Sequence, residues 1–160
     1  MVQSPPPGRQ PITTAIVPPT KRIAAWGLIR RELAAGRQAY VVYPLVEESE
    51  KSDLKAATEM VSHLQRDIFP EHRVGLLHGQ MKADEKHERM AAFRSGECQV
   101  LVCTTVVEGG LDVPNATVMA IEHADHYGLS QLHQLRGRIG RGEHASHCLL
   151  MVDEPEASEK

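Results

Sequence analysis

The sequence predicts an α/β domain of three layers, with a mainly parallel sheet covered by helices on both faces. Two observations carry that expectation. Short apolar runs rich in β-branched residues alternate with segments of helical periodicity, and the connections between them are short. Several runs, Tyr40-Val41-Val42 and Val100-Leu101-Val102-Cys103 among them, are apolar at every position. That pattern suits a strand buried on both sides rather than one with a wet face.

The elements follow in order. Ile12–Val17 reads as the first strand, and a helix from Ile23 to Ala35 stops before Gly36, a natural residue just past a helix end. Ala39–Val46 is the second strand. Asp53 to Ile68 places Leu54, Ala57, Val61, Leu64 and Ile68 at helical spacing, and Pro70 ends it. Val74–Leu77 follows as a strand. Ala83 to Arg94 opens with Asp84 and Glu85, as the helix dipole prefers, and ends before Gly96. Val100–Cys103 and Val118–Ile121 are strands, Leu129–Arg136 a helix, and Cys148–Val152 the last strand.

Residues 1–11 hold four of the ten prolines and read as a linker or boundary segment. Residues 153–160, DEPEASEK, read as an acidic frayed tail, leaving 12–152 as one domain cut from something longer. With 41% apolar residues among 160, the chain has enough material for a core, though only 4% are aromatic. A formal charge of −3 is not the footprint of a protein that grips DNA by bulk electrostatics, so any nucleic-acid contact must be local. No apolar stretch reaches the roughly 18 residues a membrane span needs, and no secretory leader is visible. Three cysteines without a C-x-x-C pair fit a reduced, cytoplasmic setting.

Three stretches carry chemistry. In Gln134-Leu135-Arg136-Gly137-Arg138-Ile139-Gly140-Arg141, Arg138 and Arg141 stand at helical i,i+3 spacing, so their guanidiniums project to nearly one side. Two permanently charged, planar forks clamp a polyphosphate, and Gly137 and Gly140 keep the surface beside them bare. A solvated basic face is the plainer alternative. Thr104-Thr105 and the Gly109-Gly110-Leu111-Asp112 turn follow an apolar strand, at the carboxyl edge where open α/β sheets bind ligands. There the hydroxyls and backbone amides suit phosphate, and Asp112 suits a ribose hydroxyl; an ordinary strand-to-loop turn reads equally well. His78-Gly79-Gln80-Met81-Lys82 also follows a strand and offers polar contacts for a nucleic-acid backbone, or simply a surface turn before a helix.

Other patterns lead nowhere. Asp84-Glu85-Lys86-His87 spells the D-E-x-H of a magnesium-holding strand end, yet it opens an amphipathic helix instead. His123-x-x-His126 and His144-x-x-His147-Cys148 have no C-x-x-C partner or clear fourth ligand, so no metal site is expected. No G-x-x-x-x-G-K-[ST] phosphate loop occurs; the chain holds half of an ATP site.

Taken in order, His78-Gly79-x-Met81, Thr104-Thr105 with Gly110-x-Asp112, and Gln134-x-x-Gly137-Arg138-x-Gly140-Arg141 resemble the second-lobe motifs of superfamily 2 helicases. Pro44 to Glu50, Gly75 to Lys82, Asp112 to Ala116 and Gly128 to Arg138 are similar to the RecG family in particular. Ala124-Asp125-His126-Tyr127 is closer to the transcription-repair coupling translocases, which share this motor, and Gly109 stands where RecG proteins usually have valine.

The resemblance implies a RecA-like lobe of an ATP-dependent DNA helicase, a P-loop NTPase type that acts on branched DNA such as stalled forks and Holliday junctions. It assigns Arg138 and Arg141 as catalytic arginine fingers and Gly110, Asp112 and Gln134 to the nucleotide. His78, Gly79, Thr104 and Thr105 go to the DNA backbone. ATP and Mg²⁺ would be the cofactors, the magnesium held mainly by a first motor lobe that this sequence does not contain. Partners would be forked DNA, that first lobe and a wedge domain, in bacterial cytoplasm or nucleoid. Alone, the chain would lack ATPase activity. A phosphate- or protein-binding α/β module without motor function is the reading from another class.

Overall fold

The computed structural model describes residues 12–43, 50–79, 81–104, 113–137, 139 and 144–153. Six strands, β1 (Ile12–Val17), β2 (Gln38–Tyr43), β3 (Val74–Leu77), β4 (Val100–Thr104), β5 (Ala116–Ile121) and β6 (Ser146–Met151), form one sheet in the order β1-β6-β5-β2-β4-β3. Every pairing is parallel. Four helices link them: α1 (Arg22–Ala34), α2 (Glu50–His63), α3 (Ala83–Ser95) and α4 (Leu129–Arg136).

The alternation of side chains along the strands divides the core in two. Ala39 and Val41, Val100 and Val102, and Val118 and Ala120 face α1 and the end of α2, where Trp26, Ile29, Leu33, Leu64 and Phe69 cover them. Tyr40 and Val42, Leu101 and Cys103, and Met119 and Ile121 face the other way, under Met90 and Phe93 of α3 and Leu132 and Leu135 of α4. Strands β2, β4 and β5 are therefore buried almost throughout, as their unbroken apolar sequences require.

Helix ends follow their sequence signals. Gly36 and Gly96 close α1 and α3 with φ of 93° and 91°, a left-handed conformation that glycine adopts without a β-carbon clash. Strands β5 and β6 start two residues earlier than periodicity alone indicates, because Ala116 pairs with Gln38 and Ser146 with Ile12. Strand β2 likewise begins at a glutamine. Gln38 is buried, and its amide donates to the carbonyls of Phe93 (2.6 Å) and Cys98 (2.9 Å) while accepting from Asn115 (3.1 Å). One side chain so joins the start of β2, the end of α3 and the approach to β5, which satisfies its polar atoms in place of water.

The helix expected from Asp53 to Ile68 is regular only to His63. Leu64–Ile68 forms a wider π-helical turn, closed by the Phe69 amide on the Leu64 carbonyl at 2.6 Å. The wider turn sets Phe69 edge-on against Trp26, with centroids 5.9 Å apart. Gln65 fills the gap that results: its amide nitrogen donates to the carbonyls of Phe69 and His72, and its oxygen accepts from the Val74 amide.

Phe93 is fully buried, its ring 5.1 Å from that of Tyr40. Phe93→Ala is expected to cost about 3–5 kcal/mol in urea unfolding. Ile23→Ser, at a position 84% exposed, should shift stability by less than about 0.5 kcal/mol in the same assay.

Candidate functional site

Parallel strands bring all their carboxyl ends to one edge, and His78, Gly79 and Thr104 lie there. Strand β3 ends at Leu77, which pairs with Cys103 of β4, so His78 lies beside Thr104, the last residue of β4. Both are buried, at 3% and 1% relative exposure. The Thr104 hydroxyl has no hydrogen-bond partner among the described residues. At this edge Gly79 faces solvent, while the His78 and Thr104 side chains are buried beneath it.

Chain order makes the same edge a crossing point. Strand β4 leads on toward β5, which lies on the far side of β2. Thr105, Gly110 and Asp112 lie between β4 and β5 in sequence, outside the described residues.

Helix α4 carries Gln134, exposed and one turn before Gly137. The helix is fixed at both ends: Gln131 accepts from the Gly128 amide at 2.9 Å, and Arg136 Nε donates to the Thr14 hydroxyl on β1 at 2.8 Å. Arg138 and Arg141 also lie outside the described residues, but Ile139 between them in sequence is buried against the face under α3 and α4. Arg136 thus anchors α4 to β1.

A second group on this edge was not legible in the sequence. Arg22 opens α1 and forms a bidentate pair with Glu122, just past β5, at 3.1 and 2.7 Å. The Glu122 side chain is only 3% exposed. Burial works against the Arg22 charge, but the hydrogen bonds and charge of Glu122 outweigh it and hold the guanidinium pKa above its ordinary value. Arg22 also lies 5.3 Å from the Trp26 ring centroid, a cation–π contact. Beside this pair, Asp153 meets His123 Nδ1 at 2.8 Å and His126 Nε2 at 3.3 Å. Partial burial opposes the Asp153 charge, yet the two imidazoles hold its carboxyl below the usual value.

Comparison with known proteins places this geometry. The pattern of the helicase conserved C-terminal domain matches residues 22–143. The chain belongs to that family.

Among relatives of this helicase domain, the ATP-dependent DNA helicase RecG of Synechocystis sp. is 55% identical over 148 residues, covering 92% of this chain and 18% of that protein. RecG of Bacillus subtilis is 50% identical over 149 residues, covering 92% and 22%, and RecG of Thermotoga maritima 46% over 147 residues, covering 92% and 19%. The chain thus spans about a fifth of the length of these relatives. In three dimensions it matches a structure of RecG bound to a three-way DNA junction, with TM-score 0.76 and 42% identity, over 93% of this chain and 19% of that one. The second domain of the DEAD-box helicase Mss116p, bound to an RNA duplex, matches with TM-score 0.61 at 18% identity, over 89% and 54%, and shows the shared RecA-like fold.

The helicase domain offers no thiol nucleophile among its cysteines. Burial pushes Cys103 up to about 12 and Cys148 up to about 11, and Cys98 also rises, mainly through burial. Because the thiol form dominates far above neutral pH, Ellman's reagent at pH 8 should label none of the three until the chain is unfolded. Arg22→Ala should lower stability by about 2–3 kcal/mol in chemical unfolding, since it strands the buried Glu122 carboxylate. Arg22→Lys should recover only part of that loss, because an ammonium lacks the fork that engages both oxygens.

Proposed function

We propose that this domain is the second motor lobe of an ATP-dependent DNA helicase or translocase that remodels branched DNA, stalled forks and Holliday junctions in recombination and repair. One observation carries the reading: RecG helicases match across nearly the whole chain, and the matching RecG structure was bound to a three-way DNA junction. The motif order of the sequence supports it. In this role the nucleotide sits between two lobes. Arg138 and Arg141 reach the γ-phosphate and neutralise the charge that builds on its oxygens during transfer to water. Gly110 and Asp112 border the nucleotide, and Gln134 links its state to lobe closure.

The DNA side uses the carboxyl edge of β3 and β4. His78, Gly79, Thr104 and Thr105 follow the phosphate backbone of the tracked strand. With His78 and Thr104 side chains buried, most of that contact falls to backbone amides and to exposed Gly79, which suits a grip independent of base sequence.

Magnesium does not fit the Asp84–His87 run. Asp84 and Glu85 are exposed in the first turn of α3, and the Glu85 carboxylate accepts from the Lys82 amide at 3.4 Å. The ion and the phosphate-loop lysine therefore belong to the other motor lobe of such an enzyme, and this lobe contributes forks and backbone.

The test is ATP hydrolysis by the full-length protein on forked and linear DNA, with and without Arg138→Ala. Fork-stimulated hydrolysis should fall by about a thousandfold in the variant, with the melting temperature of the lobe unchanged. Hydrolysis indifferent to Arg138 would leave the arginine run as a solvated basic face and defeat the proposal.

A further inference from the structure

The motor reading assigns no role to one side-chain cluster. His123 and His126 sit on the connection between β5 and α4, and Asp153 directly follows the β6 segment. One nitrogen from each imidazole and one carboxylate oxygen all lie within 4.8 Å of one another. We propose that these three residues form a binding site for a borderline divalent cation of the zinc class.

The geometry is close to what such a cation needs. Tetrahedral zinc with bonds of about 2.0–2.1 Å holds its ligand atoms about 3.3 Å apart. Of the two nitrogen–oxygen separations, 3.3 Å matches that spacing and 2.8 Å is a hydrogen-bond length that a bound ion would open by about 0.5 Å. The imidazole planes stand at 76° with centroids 5.5 Å apart, so the rings are not stacked and each can direct a lone pair to a common point. Two imidazoles and one carboxylate favour zinc, cobalt or nickel over magnesium or calcium, which prefer all-oxygen shells. The remaining coordination position falls to water, since all three ligand residues retain solvent access.

The surroundings hold the ligands in place. His123 has φ 51° and ψ 45°, the only positive φ at a non-glycine among the described residues. Tyr43 meets that ring edge-on at 5.4 Å. The Asp153 amide donates to the Asp125 carboxylate at 3.3 Å, which sets the backbone carrying the third ligand. Glu122 stays out of the ligand set because Arg22 occupies both its oxygens, and the same pair offsets the nearby guanidinium charge. A bound cation replaces the imidazole–carboxylate hydrogen bonds and ties the β5–α4 connection to the chain leaving β6.

Calorimetric titration of the 160-residue chain with Zn²⁺ tests the site. One zinc per chain should bind with micromolar affinity and raise the melting temperature. His126→Ala and Asp153→Asn should each weaken binding by at least about tenfold and abolish the thermal shift. His63→Ala, in an exposed pair on α2, should change neither. His126 is half exposed, so its variant keeps the fold, as the unliganded melting curve will show. Absence of saturable uptake, or uptake undiminished in both His126→Ala and Asp153→Asn, overturns the proposal.

Discussion

The constraint on which the rest depends is the parallel direction of all six strands. A parallel strand cannot be reached by a tight hairpin, so the chain must cross back over a face before each new pairing. Those returns place α1 and α2 on one side and α3 and α4 on the other, and thereby bury both surfaces of β2, β4 and β5. They also gather every strand's carboxyl end along one margin. His78, Thr104, Glu122 and Asp153 come from separate parts of the sequence and share that margin for this reason alone.

The margin combines two kinds of surface. Toward β3 and β4 the described residues bury their polar side chains, His78 and Thr104, beneath exposed Gly79. Toward β5 and β6 it carries the Arg22–Glu122 pair and the imidazole–carboxylate cluster. Under the proposed function, DNA contact rests on local amide donors rather than a broad basic field, which a formal charge of −3 over the whole chain permits.

Much of the fold was legible because hydrophobic pattern and strand burial are the same fact seen twice. Val100–Cys103 is apolar at every position, and its residues alternate between the two cores. The Asp84–His87 run was also correctly separated from a strand-end acid motif, since its surroundings had helical period and the structure opens α3 there. Boundaries were less legible where a polar residue enters the core. Gln38 looks like a surface residue in sequence, and only the carbonyls of Phe93 and Cys98, far along the chain, explain its burial. The cluster around Asp153 escaped sequence reading for a related reason: the third partner of His123 and His126 lies on another strand end, with no local spacing to announce it. The arginine, Gly110, Asp112 and Thr105 assignments rest on motif order alone, because those residues lie outside the described ones.

The π-helical turn at Leu64–Ile68 has a bearing on sequence length. It holds one residue more than a regular turn closed at the same place would need. Deleting a residue there would restore even winding, yet would rotate everything before it by about 100° relative to Phe69. Either the aromatic contact with Trp26 or the apolar stripe of α2 would lose its direction. Relatives one residue shorter in this segment must therefore repack both.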